Sequence, residues 1–354
     1  MHTPTNAPME TSKGTPSVDR RTFIAAGASI VAGIGGFVPS AAATAEPRRV
    51  DEPPSAPAPP RPRRRALRVG HLTDIHVQPE RAAAEGMAAA LRHAQSLADP
   101  VQFIVTGGDM VMDAFDAEEA RVKTQWDLFA SVLRGECSVP VAHCLGNHDI
   151  WGGNRAKSHT TGREPRWGKA WAREVLGLAA DHQAFDRAGW RFIVLDSVRP
   201  DVVHGRGDRD GYTAYLEPAQ RAWLEQELAS TPATTPIVVV SHVPLLTVTV
   251  AASDARRSKD FAITVPGDLM HSDAATVAEL FARHANVKLC LSGHIHQVDR
   301  VEYRGATYIC DGAVSGAWWK GPNGAFPEGY GVVDLFDDGT FEWAYTPYGW
   351  TARP

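Results

Sequence analysis

The chain has 354 residues, of which 44% are hydrophobic and 22% are charged, so it is long enough for one large domain or two ordinary ones and is not compositionally disordered. Its formal net charge is −5, and residues 66–354 carry 27 basic and 36 acidic residues. Because duplex nucleic acid is held by many cationic contacts, this acidic balance argues against a stable nucleic-acid partner.

The first 45 residues have the composition of an export signal. Arg20 and Arg21 precede an apolar stretch rich in glycine and alanine, and small residues follow at Ala43-Thr44-Ala45. This order of features resembles a twin-arginine signal peptide, which is recognised by an export machinery for folded proteins. We therefore expect cleavage near Ala45, a periplasmic or extracellular mature protein, and no membrane span in that mature protein. A retained membrane anchor is the alternative interpretation.

Residues 46–65 are rich in proline and arginine, which predicts an extended linker without a core of its own. Residues 66–354 contain no internal repeat and no second domain boundary. We therefore expect the chain to consist of a signal peptide (1–45), a linker (46–65) and one folded domain (66–354).

The cysteines do not form a disulfide scaffold or a C-x-x-C motif. They are Cys137, Cys144, Cys290 and Cys310. Three of them lie in apolar runs, so we expect buried thiols. A bridge between Cys290 and Cys310 stays open in an oxidising compartment.

Short apolar runs alternate with longer amphipathic stretches from residue 66 onward. Runs rich in Val, Ile and Leu that end in Gly, Ser or Asp predict strands at 66–72, 101–108, 141–146, 191–197, 236–242, 287–293 and 306–313. Apolar residues at helical spacing predict helices within 80–98, 217–230 and 272–285. The segment 330–347 predicts a hairpin with its turn at Asp338-Gly339. This alternation predicts an α/β fold.

Polar side chains of one chemical kind follow several of the predicted strands. They are Asp74 and His76, then Asp109, then Asn147, His148 and Asp149, then His242, and finally His294 and His296. A block such as "TDIH" or "GGD" on its own is typical of a strand-to-loop cap. Ligands of α/β folds bind beyond the carboxyl ends of the strands, however, and five such blocks together indicate a site.

These residue types suit a pair of divalent metal ions. Two cations about 3.5 to 4 Å apart repel each other, so a bridging carboxylate is needed, and a hydroxide that bridges them becomes a nucleophile near neutral pH. Asp109 is the natural candidate for the bridge. Imidazole with carboxylate favours Mn, Fe or Zn, and the lack of nearby cysteine argues against a structural zinc site.

The blocks D-x-H, G-D, G-N-H-D, a lone His and G-H-x-H occur in an order that resembles the calcineurin-like metallophosphoesterase superfamily, over roughly residues 66–310. They are also similar to the pattern of class III cyclic nucleotide phosphodiesterases. The resemblance implies an α/β fold in which two mixed β-sheets pack as a sandwich flanked by helices, in four αββα layers. It also implies a dinuclear metal site at loops on one edge.

The resemblance further implies which residues hold each metal ion. One ion would be bound by Asp74, His76, Asp109 and His296, and the other by Asp109, Asn147, His242 and His294. By the same resemblance, His148 contacts the phosphate or protonates the leaving oxygen, and Asp149 is the expected orienting partner. Met112 stands where purple acid phosphatases carry a tyrosine ligand, so a purple iron enzyme is not expected.

The substrate is the point on which the sequence leaves alternatives. The resemblance implies a small phosphate ester, and small phosphodiesters such as cyclic nucleotides are favoured over glycerophosphodiesters, lipid head groups and monoesters. Trp318 and Trp319 could stack on a base, cover an apolar ester group or pack in the core. A polar segment at 150–171 could hold a phosphate or be a solvated loop.

Two classes of function therefore remain. One is an exported dinuclear metallophosphoesterase, acting on diesters or as a broad-specificity phosphomonoesterase. The other is a non-catalytic protein that binds metal or phosphate on the same scaffold. The presence of both Asp109 and His148 favours the enzyme.

Overall fold

The structure is a computed structural model that describes residues 62–201, 211–253, 256–257 and 262–353. The predicted signal peptide lies outside these residues, and so does the predicted linker up to residue 61. The first strand begins at Arg65, so the last residue of the predicted linker already belongs to the sheet. In the described part of the chain, no helix combines the length and the apolar character needed to cross a membrane.

Strands and helices alternate along the chain. The strands are β1 (Arg65–Leu72), β2 (Phe103–Thr106), β3 (Val141–His143), β4 (Gln183–Arg187), β5 (Trp190–Val194), β6 (Val198–Asp201), β7 (Gly211–Ala214), β8 (Ile237–Val240), β9 (Arg256–Arg257), β10 (Ile263–Thr264), β11 (Val287–Ser292), β12 (Asp299–Tyr303), β13 (Ala306–Cys310), β14 (Gly329–Phe336) and β15 (Phe341–Pro347). The helices are α1 (Ala83–Ser96), α2 (Glu119–Glu136), α3 (Arg155–Ser158), α4 (Ala170–Leu176), α5 (Pro218–Ser230), α6 (Thr249–Ser253) and α7 (Ala274–Ala282).

The larger strands form two mixed sheets. One has the order β15-β14-β1-β2-β3, in which β1, β2 and β3 are parallel and β14 and β15 are antiparallel to their neighbours. The other has the order β12-β13-β11-β8-β5-β4, with parallel β13, β11, β8 and β5 between two antiparallel edge strands. Each sheet therefore has an edge at which the carboxyl ends of its parallel strands lie side by side.

Apolar side chains divide the fold into four layers. Val105 of the first sheet and Leu289 of the second belong to one buried cluster between the sheets. The outer face of the first sheet packs against α1 and α2, and the outer face of the second packs against α5 and α7. Together with the sheet orders, this confirms the predicted sandwich of two mixed sheets flanked by helices.

Most predicted elements are present in the structure. The seven predicted strands correspond to β1, β2, β3, β5, β8, β11 and β13, the three predicted helices to α1, α5 and α7, and the predicted hairpin to β14 and β15. The long helix α2 was not predicted, although Val122, Trp126 and Phe129 recur at helical spacing on its buried face. The four cysteines are free thiols, and Cys290 lies opposite Tyr308 rather than Cys310 in the sheet.

A tryptophan and a glycine connect α1 to the strand-end loops. Trp319 is completely buried in the cluster beneath the first sheet, and its Nε1 donates a hydrogen bond of 2.9 Å to the carbonyl of His76. The ring lies directly against Gly86 of α1, where a Cβ atom would overlap it. Gly86 therefore leaves the space that Trp319 needs to hold the backbone of His76.

We expect Gly86→Ala to lower the free energy of unfolding by about 1 to 3 kcal/mol, because the new methyl group displaces the Trp319 ring. The matched control is Gly135→Ala in α2, where a Cβ meets no atom within 4 Å. There the higher helix propensity of alanine should raise stability by up to about 1 kcal/mol. Urea denaturation of both variants measures the two effects, and a Gly86→Ala protein as stable as wild type would contradict the packing argument.

Candidate metal centre

The loops that follow five parallel strands bring the predicted ligands together. Asp74 and His76 follow β1, Asp109 follows β2, Asn147 follows β3, His242 follows β8, and His294 and His296 follow β11. Their side chains form adjoining groups in which the ligand atoms all lie within 4.8 Å of one another: Asp74, His76 and His296; Asp109, His242 and His294; and His76, Asp109 and His148. Both sheets therefore contribute to one cluster.

The first group faces the end of β1. The Nε2 atom of His296 lies 3.1 Å from Nε2 of His76 and 3.2 Å from Oδ1 of Asp74. His76 Nε2 is also 3.6 Å from Oδ2 of Asp109. Two ring nitrogens and two carboxylate oxygens thus point toward one another in a buried space.

The second group lies on the other side of Asp109. The Nε2 atom of His242 is 3.1 Å from Oδ1 of Asn147 and 3.3 Å from Oδ2 of Asp109. His294 completes the group, and its ring lies 5.0 Å from that of His242 between centroids. The same Asp109 oxygen therefore approaches a histidine of each group, as a shared ligand would.

Backbone carbonyls orient the histidines of both groups. Nδ1 of His242 lies 2.8 Å from the Gly107 carbonyl, and Nδ1 of His296 lies 2.5 Å from the Gly316 carbonyl. A carbonyl can only accept a hydrogen bond, so in each ring Nδ1 carries the proton and the neutral form keeps a lone pair on Nε2, toward the cluster. His294 is oriented the other way, with Nε2 at 2.9 Å from the carbonyl of Asp268. Its available lone pair is therefore on Nδ1.

The buried carboxyls remain ionised because imidazoles surround them. Burial opposes the charged form of Asp109, but His242 and the other neighbouring histidines together outweigh this effect and lower the pKa of Asp109. Burial also opposes the charged form of Asp74, but His296, with His76 and His242, outweighs it and lowers the pKa of Asp74 well below its ordinary value. Burial alone would lower the pKa of His242, yet the Asp109 charge raises it to about 9. The cluster thus requires positive charge to balance its carboxylates.

A divalent metal ion fits this arrangement. Burial lowers the pKa of His76 to about 4 and that of His294 to about 3, so both imidazoles are neutral ligands at pH 7. Oδ1 of Asp74 and Nδ1 of His76 are buried without a hydrogen-bond partner. Two ring nitrogens 3.1 Å apart can share at most one proton, whereas a cation placed between them would bind both lone pairs.

The backbone at the ligands is unusual. Asp74, His76, Asp109, His294 and His296 have positive φ angles of 48° to 72°. Residues other than glycine occupy this region at a cost, typically about 1 to 3 kcal/mol when the surroundings impose it, and such residues cluster at functional sites. The sharp turns let side chains at alternate positions of a strand end converge on one space.

Two glycines of the motifs allow the loops to approach the carboxylates. A Cβ on Gly146 would overlap Oδ1 of Asp109, and a Cβ on Gly293 would overlap Oδ2 of Asp74. That oxygen of Asp74 instead accepts a 2.9 Å hydrogen bond from the backbone N–H of His294. Glycine is therefore needed in "GNHD" and "GHIH" for close backbone approach to the ligands.

His148 lies at the rim of the cluster. Its ring is half-buried and packs edge-on against that of His76, with centroids 4.7 Å apart. Its backbone N–H donates to Oδ1 of Asp109 at 2.8 Å, and its Nδ1 lies 2.6 Å from the Met112 carbonyl. The proton on Nδ1 is fixed by that carbonyl, so Nε2 is the nitrogen free to exchange a proton.

Asp149 is placed differently from its expected position beside the His148 ring. Its carboxylate is completely buried and accepts hydrogen bonds from the backbone N–H groups of Asp109, Met110 and Gly146, at 2.8 to 2.9 Å. Asp149 therefore ties the loop after β2 to the loop after β3, and the orienting partner of His148 is the Met112 carbonyl. Asp149 therefore acts on the site by holding the backbone of these two loops in place.

Polar side chains of the segment at 150–171 are engaged within the segment and with neighbouring parts of the chain. The Asn154 side chain accepts a hydrogen bond from the backbone of Lys157 as the N-cap of α3, and the Lys157 ammonium pairs with Asp116.

Tyr212, which the sequence analysis did not consider, brings its hydroxyl within 3.4 Å of Nε2 of His294. No motif marks this contact, because Tyr212 is distant from the histidine in sequence and lies outside the strand-end blocks.

Comparisons with known proteins agree with this geometry. The family model described as calcineurin-like phosphoesterase matches residues 67–298. A probable cyclic nucleotide phosphodiesterase of Synechococcus sp. is 25% identical over 281 residues, which cover 78% of this chain and 90% of that protein. A 3',5'-cyclic-nucleotide phosphodiesterase of Nostoc sp. is 31% identical over 174 residues, which cover 47% of this chain and 55% of that protein.

The fold also has a counterpart among solved structures. The crystal structure of a dimetal phosphatase from Danio rerio superposes with a TM-score of 0.54 at 16% identity, and the match covers 81% of this chain and all of that chain. At this identity the likeness concerns the fold.

We expect Asp149→Asn to lower the bound metal content and to destabilise the protein by about 1 to 3 kcal/mol, because the amide presents an NH₂ group to backbone N–H donors. The matched control is Asp113→Asn, a half-buried carboxyl near His148 that accepts from the Asp116 backbone. The control should keep its metal. Elemental analysis of both variants after dialysis measures this, and equal metal in Asp149→Asn and wild type would refute the loop-tying role.

Proposed function

This chain belongs to the calcineurin-like phosphoesterase family, and we propose that it is a dinuclear metal-dependent hydrolase of small phosphodiesters. The family supports a phosphoester hydrolase that acts on a small phosphate ester with divalent metal ions. The proposal adds the number of metal ions and the preference for diesters. It also assigns Asp74, His76, Asp109 and His296 to one ion, and Asp109, Asn147, His242 and His294 to the other.

The observation that carries the proposal is the position of Asp109 between two groups of ligands. Its Oδ2 lies 3.6 Å from His76 Nε2 on one side and 3.3 Å from His242 Nε2 on the other. A single ion would need only one of these groups. A shared carboxylate is the arrangement that two neighbouring cations require, because it reduces their repulsion.

When bound, two divalent ions supply Lewis acidity to a phosphoryl oxygen and lower the pKa of a water molecule. The chain's own contribution is to hold this chemistry in place. The carbonyls of Gly107 and Gly316 keep His242 and His296 in the form that presents a lone pair. The buried walls exclude bulk water, which strengthens the interaction of the carboxylates with cations.

His148 supplies the proton for the leaving oxygen in this proposal. Its Nδ1 is committed to the Met112 carbonyl, so Nε2 can hold a proton at the rim and release it to an alkoxide. Its backbone N–H meanwhile fixes the orientation of Asp109. The residue thus links the shared ligand to proton transfer without being a ligand itself.

Three observations support a small diester as the substrate. Both relatives that match this chain carry the name cyclic nucleotide phosphodiesterase. The acidic balance of residues 66–354 disfavours long nucleic acids. A phosphate that contacts two cations needs few further contacts.

Broad-specificity monoester hydrolysis is the second candidate, since a dinuclear site binds either kind of ester. Mn, Fe or Zn suits the ligand set of imidazoles, carboxylates and one amide.

We expect the purified full chain with added Mn²⁺ to hydrolyse cyclic AMP and bis-aryl phosphate with a higher kcat/KM than an aryl monophosphate. Glycerophosphodiesters are assayed alongside these three substrates. Asp109→Asn should lose metal and most activity, because the shared negative charge is gone. A higher kcat/KM for the monoester would replace the diester preference with a phosphatase. Metal binding without hydrolysis of any ester would point to the non-catalytic binding protein, and activity that survives metal removal would refute the central proposal.

We expect His148→Ala to keep its metal and to lose about 10²- to 10⁴-fold in turnover on diesters with poor leaving groups. A nitrophenolate leaving group needs no proton, so the loss there should be much smaller. The control is His159→Ala, an exposed histidine of the same connecting segment. Equal losses with nitrophenolate and alkoxide leaving groups would argue against proton donation and leave charge stabilisation as the role.

Export is the remaining part of the proposal. We infer from "DRRTFI" and the A-x-A site that residues 1–45 are a twin-arginine signal peptide and that the mature protein begins near Glu46. Arg20→Lys with Arg21→Lys should stop export. N-terminal sequencing of the protein recovered outside the cytoplasm tests this, and an intact Met1 in a membrane fraction would favour a retained anchor.

A further inference from the structure

Trp318 stands beside the first ligand group. Its ring is half-buried, with its centroid 4.5 Å from that of His296 at an interplanar angle of 35° and 6.1 Å from that of His76. Both histidines belong to the group that contains Asp74. An indole ring therefore lies beside two of these ligand residues.

The neighbouring tryptophan shows that this position is not ordinary core packing. Trp319 is completely buried in the apolar cluster beneath the first sheet, and Trp350 packs edge-on against it. In the described part of the chain, none of the apolar clusters includes Trp318. The two rings therefore differ in role: the Trp319 ring anchors the loop in the core, and the Trp318 ring lies against the ligand histidines.

The backbone of the loop imposes this arrangement. Trp318 and Trp319 have φ angles of 53° and 66°, and bulky residues seldom adopt such angles. Two consecutive left-handed tryptophans are an unfavourable way to fill space, because a glycine could make the same turn without a cost. The loop is held in this form at both ends, by the Trp319 contact to the His76 carbonyl and by the Gly316 carbonyl at His296.

We propose that the Trp318 indole is a specificity-determining surface that selects phosphate esters carrying a planar aromatic group, such as a nucleobase or an aryl group. This inference rests on the proposed function. A phosphate held at the ligand cluster places a substituent beside the half-exposed indole face, where an aromatic group stacks and an aliphatic group gains little. The indole has no proton to give at this face, so its contribution is to binding.

The experiment compares Trp318→Ala, Trp318→Leu and Trp318→Phe in the full chain, with Trp350→Ala as the matched control. Trp350 is a half-buried tryptophan that touches Trp319 but lies in no ring contact with the ligand histidines among the described residues. Each variant is assayed on bis(p-nitrophenyl) phosphate and on glycerophosphoethanolamine. Bound metal is measured in parallel by elemental analysis.

We expect Trp318→Ala and Trp318→Leu to lose about tenfold in kcat/KM on the aromatic diester, through KM, with little change on the aliphatic diester. Trp318→Phe should recover much of this loss, because it restores an aromatic face. Metal content and the control variant should resemble wild type. Equal losses on both diesters, or a loss of metal, would overturn the proposal and make Trp318 a support for His296.

A binding measurement separates this inference from the proposed function. Phenylphosphonate and methylphosphonate are not hydrolysed, and calorimetry with the metal-loaded protein gives their affinities. Wild type should bind the phenyl compound about tenfold more tightly, and Trp318→Ala should remove the difference. This result would stand even if no ester were hydrolysed. Identical affinities of wild type for the two phosphonates would refute the role of Trp318 even in a fully active diesterase.

Discussion

The negative charge of two carboxylates buried among imidazoles is the constraint on which the site depends. Asp74 and Asp109 are both at most 1% exposed, and water cannot stabilise their charge there. The surrounding histidines lower the pKa of both carboxyls, but His242 can do so only while it is protonated. A divalent cation would balance the same charge without a proton on the ring nitrogens that face the cluster, so the cluster is better suited to metal than to protons.

The two-sheet architecture follows from the need to surround such a charge. One sheet can supply ligands from one row of strand ends only. Here the first sheet supplies both carboxylates, and the second supplies three of the four ligand histidines, from the loops after β8 and β11. The inter-sheet cluster around Val105 and Leu289 holds the two rows at a fixed distance. The packing between the two sheets therefore also fixes the positions of the ligands.

Local patterns predicted the α/β class and the residues of the cluster, whereas the sandwich of two mixed sheets was implied by the resemblance to a known family. Strand-end motifs are short, and parallel strands bring their ends to a common edge, so residues from "TDIH" to "GHIH" could be grouped without coordinates. The role of Asp149 could not be predicted, since it depends on backbone N–H groups of a different loop. The different roles of Trp318 and Trp319 could not be predicted either. The two residues are identical and adjacent, and their different positions depend on the left-handed backbone that both adopt. Helix α2 was missed although Val122, Trp126 and Phe129 recur at helical spacing, so its periodic signal was present in the sequence.

The distance along the chain between the ligands has a consequence for how the protein acquires its cofactor. His76 and His296 are 220 residues apart in sequence, and the carbonyl that orients His296 belongs to Gly316. Closing a loop of that length costs conformational entropy, so these contacts are long-range ones that the chain forms only at an entropic cost. On a ribosome the first ligand group cannot assemble until almost the whole domain has emerged. A metal ion held by this group would therefore bind only after nearly all of the domain has been synthesised.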